Sequence, residues 1–162
     1  MILSIDPGNE VSAYTILNER LQPIKFDILP NDDLITRLKK IYPDSHNEHF
    51  AIEMVASYGM AVGKTVFDTV FWIGRFWDAA ELFEHKQLIY RKDVKMNLCH
   101  SMKAKDSNVR QALLDRFGEV GTKKNPGWFY GFKKDIWSAY AVGVTYHDLY
   151  LKEKVVYDSP IT

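Results

Sequence analysis

The chain has a single cysteine, Cys99, so no internal disulfide can form, and a reducing cytoplasm fits. No run of about 18 apolar residues occurs, and no basic start with an apolar h-region precedes Asp6, so neither a membrane span nor secretion is supported. Net charge is also lacking, with 21 Lys and Arg against 21 Asp and Glu. Zinc-ligand spacing is missing too. His46-x-x-His49 lies in a polar stretch without further matched ligands and reads as plain surface. There is no internal repeat and no low-complexity segment. What is there is a chain of 162 residues, 46% hydrophobic and 14% aromatic, which suits one domain with a real core and excludes disorder. The expected boundaries are a single domain over residues 1–154 and a loose tail over 155–162.

The neutral total conceals a division along the chain. Residues 1–90 carry 8 basic against 13 acidic side chains, residues 91–134 carry 11 against 4, and residues 135–162 carry 2 against 4. Acidic flanks around a basic middle are what a protein would show if carboxylates gathered cations while a separate surface held a polyanion. A solvated helix face with surplus lysines is the plainer alternative.

The chain opens with Ile2-Leu-Ser-Ile-Asp6-Pro7-Gly8, an apolar run of strand length that ends in an aspartate and turns at once. Asp6 is a candidate metal or phosphate-site ligand, or else it bonds its own turn backbone. Val11 to Leu17 and Leu21 to Leu29 read as two more strands of an antiparallel meander. A helix follows, capped by Asn31 or Asp32, with Leu34, Ile35, Leu38 and Ile41 as its apolar stripe. After a polar loop from Tyr42 to Asn47, Phe50-Ala-Ile-Glu53-Met-Val55 is a buried-strand pattern interrupted by a carboxylate. An unpaired buried carboxylate is costly, so Glu53 needs a partner or a metal unless it faces water on an edge strand.

Residues 59–83 read as one long helix, with Val62, Val66, Val70, Ile73 and Trp77 on one stripe and Phe67, Phe71 and Phe76 beside it. Apolar residues cover more of this helix than one core face requires, so a second buried side is expected, on another helix or on a second subunit. A strand from Gln87 to Arg91 leads into the basic segment Arg91-Lys-Asp-Val-Lys95. Ser107 or Asp106 caps a helix to Phe117, with Val109, Leu113 and Leu114 inward and Arg110 outward. The loop from Gly118 to Phe132 holds Lys123-Lys124 and Trp128-Phe129-Tyr130, which suits contact with nucleic acid, or equally aromatics that pin the loop to the core. The last helix begins near Lys134-Asp135 and runs towards Leu151, with Asp135 in its first turn or at its cap.

Three carboxylates at the edges of separate elements, Asp6, Glu53 and Asp135, suit two-metal phosphoryl transfer, in which oxygen ligands hold ions about 3.5 to 4 Å apart. The order of motifs resembles the RuvC family of Holliday-junction resolvases, within the ribonuclease H-like superfamily, and above all its bacteriophage-encoded members. The likeness rests on Ile5-Asp6-Pro7-Gly8, Ala51-Ile52-Glu53, Val94-Lys95 with Lys105 and Val109, and Ser138-Ala-Tyr-Ala-Val142. It implies an α/β fold, a five-stranded mixed sheet flanked by helices, and a homodimer formed through the 59–83 helix. It also implies paired nicks in four-way DNA junctions with Mg2+, or Mn2+ in its place, by in-line attack of an activated water. Asp6, Glu53 and Asp135 match the family's first three catalytic, metal-binding positions, and Ser138 stands at the fourth, where the family has Asp. Asp148 lies thirteen residues after Asp135, roughly 20 Å along a helix axis, and cannot simply replace it. Lys95, Lys103, Lys105, Arg110, Lys123 and Lys124 are the implied DNA contacts. The implied location is the cytoplasm, of a bacterial host if the chain is phage-encoded.

Three other readings stand beside this one. A junction-binding protein that lost its metal chemistry through Ser138 would bind branched DNA without nicking it. A related nuclease would trim forks or flaps. An actin-like or sugar-kinase ATPase also begins with a strand ending in Asp, but needs a second phosphate loop and a much longer chain.

Overall fold

A computed structural model of the protein describes residues 1–41 and 48–152. The polar loop expected from Tyr42 to Asn47, His46 within it, and the tail from Val155 lie outside the described residues. The elements in chain order are β1 (Ile2–Asp6), β2 (Val11–Leu17), β3 (Pro23–Pro30), α1 (Asn31–Leu38), β4 (His49–Met54), α2 (Lys64–Ala79), β5 (His85–Tyr90), α3 (Arg91–Cys99), α4 (Asp106–Phe117) and α5 (Ile136–Tyr146), with a π-helical turn over His147–Leu151.

The five strands form one mixed sheet in the order β3-β2-β1-β4-β5. The meander β1-β2-β3 is antiparallel, while β4 and β5 join it in parallel through helical crossovers. Strand side chains alternate between faces. On one face Leu3, Ile5, Tyr14, Phe50 and Ile52 pack against α1 and α2 through Leu34, Leu38, Ile73 and Phe76. On the other, Ile2, Leu17, Ala51 and Ile89 pack with Val94, Val109, Leu113 and Tyr140 of α3, α4 and α5.

Helix α5 is the keystone of this second layer. Every residue of it except Ser138 is buried. It lies so close to the sheet that a Cβ on Gly143 would meet Ser4 Oγ and Leu17 Cδ1 at 2.7 Å each. On β1, Ser4 turns its hydroxyl to Thr15 Oγ1 at 2.6 Å, which satisfies both polar groups beneath the helix.

Several local expectations change. Neither Asn31 nor Asp32 caps α1. Asn31 is buried instead and braces the turn after Asp6: its Nδ2 donates to the Gly8 carbonyl (2.9 Å), and its Oδ1 accepts from Ser12 Oγ (2.7 Å), which accepts from the Gly8 N–H (3.0 Å). A side chain at Gly8 would strike the Val11 carbonyl, so the turn requires glycine there. Helix α2 spans 64–79, not 59–83, because Gly63 precedes it in an extended conformation and the chain turns at Ala80. Its buried face is Thr69, Ile73 and Phe76, while Phe67 and Phe71 are each 63% exposed and Val70 is exposed to a lesser degree; Met60, before the helix, is exposed as well.

At α4 the N-cap is Lys105, whose N–H donates to Asn108 Oδ1 (2.8 Å); neither Ser107 nor Asp106 caps it. In the loop before α5, Phe129 is fully buried and Trp128 stacks on Phe117 with centroids 5.3 Å apart. Trp128 Nε1 also donates to Tyr140 Oη (2.9 Å). These two rings pin the loop, and Tyr130 is left exposed. His49 is not plain surface: it is half-buried, its Nδ1 lies 2.8 Å from Tyr146 Oη, and its ring stacks on His85.

Candidate functional site

The alternation that builds the core also brings the carboxylates together. Ile5 and Ile52 are partners in the parallel β1–β4 register and face α1 and α2. The next residue on each strand is Asp6 or Glu53, and both turn to the opposite face, where α5 begins. Strand β4 lies between β1 and β5, so Glu53 is on no edge strand, and its side chain is 15% exposed. The loop that ends at Asp135 delivers the third carboxylate. Asp135 precedes the first residue of α5, is exposed, and makes no capping hydrogen bond with its side chain. The ends of two strands and the start of a helix, all distant in sequence, thus meet at one end of the sheet.

Burial pushes the Asp6 carboxyl up to about 8, and the charges of Glu53 and Asp135 add to this rise. Arg91 and a hydrogen bond with Ser138 oppose it without cancelling it. Glu53 is raised as well, again chiefly by burial, although Arg91 holds it down in part. Ionising the cluster therefore costs more than its own cations offset, and a hard divalent cation would relieve that cost. All the donors are oxygens, which fits magnesium or manganese. Among the described residues, however, no three acidic, His or Cys side chains stand assembled as a metal cage.

Arg91 is the part of this site that the residue pattern does not single out. It is the first residue of α3, directly after β5, and its guanidinium donates through Nη1 to Glu53 Oε2 (3.4 Å) and through Nη2 to Asp106. Asp106, expected as a helix cap, is instead bound to this arginine. The only forewarning was a basic residue at the end of a strand next to the one that carries Glu53.

Beside the acidic cluster lies a cavity of about 420 Å³, lined by Arg91, Asp106, Arg110, Lys133, Lys134, Asp135, Trp137 and Ser138 among others. Arg110 stacks its guanidinium on Trp137, 4.6 Å from the ring centroid. Of the basic residues expected to meet DNA, Arg110 lines this cavity and Lys95 lies close enough to Glu53 to lower its pKa. Lys103, Lys105, Lys123 and Lys124 are exposed and do not line it. Asp148 is remote from the cluster's chemistry. Its carboxylate is held by Arg116 through two hydrogen bonds (2.6 and 2.9 Å) and by Asn97 (2.9 Å).

No protein-family model matches the sequence, and no curated protein does. Solved structures do. RuvC of Thermus thermophilus overlays with a TM-score of 0.68 at 14% identity, covering 94% of this chain and 96% of that one. The same protein in complex with a Holliday junction substrate gives 0.67 at 15% identity, covering 94% and 95%. A Fowlpox virus resolvase in complex with Holliday junction DNA gives 0.46 at 13% identity, over 91% of this chain and 99% of that one. With its mixed sheet in the order β3-β2-β1-β4-β5 and helices on both faces, the chain has the ribonuclease H-like fold of RuvC.

Proposed function

We propose that the protein is a metal-dependent endonuclease that nicks branched DNA and resolves four-way junctions by paired cuts. The observation that carries this reading is the convergence of Asp6, Glu53 and Asp135 at one end of a RuvC-fold sheet, where burial and mutual repulsion oppose ionisation more than the protein's own cations favour it. The T. thermophilus protein of the same fold has been solved with a Holliday junction substrate, which supports the choice of DNA. Asp6, Glu53 and Asp135 would hold Mg2+, or Mn2+ in its place, and the Ser138 hydroxyl stands at the fourth family position, bonded to Asp6. When bound, the ion supplies Lewis-acid polarisation of a phosphodiester oxygen.

The remaining work falls to the chain's own groups. Arg91 orients Glu53 and keeps one fixed positive charge at the edge of the cluster. Lys95, Lys103, Lys105, Arg110, Lys123 and Lys124 supply a basic surface for backbone phosphates. The exposed ridge of Phe67, Val70 and Phe71 on α2 is the homodimer contact, and two sites related by a two-fold axis make symmetrical cuts. The setting is a cytoplasm, that of a bacterial host for a phage-encoded chain.

The test is cleavage of a synthetic four-way junction, a fork and a plain duplex with Mg2+, with Mn2+ and with chelator, by the native chain and by Glu53→Gln. The native protein is expected to make paired, metal-dependent nicks in the junction, while the variant binds and does not cut. Faster cutting of forks or flaps would reassign the substrate. A second reading, junction binding without chemistry, is favoured by Ser138 and by the lack of an assembled cage among the described residues. It predicts equal binding and no nicks from either protein.

A further inference from the structure

We propose that the cavity beside the acidic cluster is a subsite for one backbone phosphate of the DNA strand, next to the phosphate that the cluster addresses. This rests on the nuclease reading for the identity of the polyanion, and on the cavity itself for the contact. Six charged side chains line it, four of them basic: Arg91, Arg110, Lys133 and Lys134 face Asp106 and Asp135. These charges are already partly assigned. Asp106 is paired with Arg91, and Asp135 belongs electrostatically to the cluster around Asp6. Arg110, Lys133 and Lys134 form no ion pair among the described residues, so the free charge of the cavity is positive.

Two further features mark a prepared site. The Trp137 ring, itself nearly buried, takes one face of the Arg110 guanidinium, and so the arginine's position is set before any ligand arrives while its N–H edge stays open. A planar, pre-set guanidinium is the side chain best matched to phosphate oxygens. Lys134 has φ +45°, a left-handed conformation that non-glycine residues seldom adopt. It stands where the chain turns into α5, with Trp137 N–H donating to its carbonyl (3.3 Å). The fold sustains this backbone at the point where Lys133, Lys134 and Asp135 line the cavity together, and such outliers concentrate at functional sites. Because Asp135 and Ser138 belong to both cavity and cluster, a strand with one phosphate at the cluster has a neighbouring phosphate within reach of the cations.

The experiment measures junction binding by the full-length chain in chelator, which separates contact from catalysis. Native protein, Arg110→Gln and Lys133→Gln/Lys134→Gln are compared across a salt series and on junctions carrying a neutral methylphosphonate at one position at a time. Each variant is expected to lower the slope of log affinity against log salt, by up to about 0.9, the share of one phosphate. One methylphosphonate position should weaken native binding on the order of three- to tenfold, and weaken each variant less. Unchanged slopes, or a methylphosphonate penalty as large in the variants as in the native chain, would overturn the subsite. If the native chain binds junctions but never nicks them, the nuclease reading falls while the methylphosphonate comparison still decides the subsite. If it does not bind DNA, both fall.

Discussion

Asp6 and Glu53 each follow one member of a register pair, Ile5 and Ile52, on the parallel strands β1 and β4, so both carboxylates leave the same face of the sheet side by side. One residue of register slip would turn either of them into the opposite, apolar layer. Their shared, desolvated position has consequences that can be measured.

The first concerns pH. In the protein without metal, Asp6 is pushed up to about 8, whereas a carboxyl in an unfolded chain ionises near 4. The folded state thus keeps a proton that the unfolded state releases. The stability tied to this group is complete below about pH 4 and is lost as pH rises towards 8. Asp6→Asn should leave Tm unchanged near pH 4 and raise it above pH 7, by about 3 °C or more. A divalent cation competes with the same proton, so Mn2+ affinity of the native chain should climb with pH up to about 8, and the variant should flatten that climb. Melts in chelator and calorimetric Mn2+ titrations test both.

Arg91 is 24% exposed and spans Glu53 and Asp106. Arg91→Gln removes the cation nearest Glu53 and should destabilise the metal-free protein by about 1 to 2 kcal/mol, allowing for partial solvent screening. Mn2+ should then raise Tm more in the variant than in the native chain, since the ion replaces the lost charge. Equal Mn2+ shifts in the two proteins would show that Arg91 does not compensate the cluster.

Asp148 secures the π-helical turn after α5. Burial alone would raise its pKa, but hydrogen bonds from Arg116, His147 and Asn97 outweigh burial and hold it well below the usual carboxylate range. Its contribution is therefore present above about pH 4 and is lost as pH falls through the lowered value. Asp148→Asn should cost on the order of 1 to 3 kcal/mol near neutral pH. Junction nicking per folded molecule at 25 °C should be unaffected. A selective loss of nicking without loss of stability would instead make Asp148 part of the catalytic site.

On α2, Phe67 and Phe71 are exposed in the single chain. Replacing both with Ser should change monomer stability by about 0.5 kcal/mol or less. It should abolish self-association if this ridge is the subunit contact. Sedimentation equilibrium of the native and double-variant chains distinguishes the cases; a native monomer would remove α2 from the assembly.

The acidic site was legible to the extent that each carboxylate breaks a local pattern. Asp6 ends an apolar strand at a glycine turn, and Glu53 interrupts another. Alternation within each strand then sets the face each side chain takes. Asp135 by its local pattern is only a helix start, which many aspartates mark, and the family resemblance alone singles it out. The local pattern points to a cap at Asn31 because that is the commonest local use of the residue, whereas in the fold the buried side chain reaches 23 residues back to the Gly8 turn. Trp128 and Phe129 had two open readings, and burial beneath Phe117 and Tyr140 decided between them.

The sequence by itself determined the elements, their periodicity and the two strand-borne acids, because those follow from short-range backbone preference and from which side chains avoid water. The tertiary structure alone decided that Arg91 meets Glu53 and Asp106, and that Arg110, Lys133 and Lys134 share one cavity with Asp135. These contacts join residues on different elements whose approach depends on how closely α5 seats on the sheet over Gly143, and no local pattern encodes that distance.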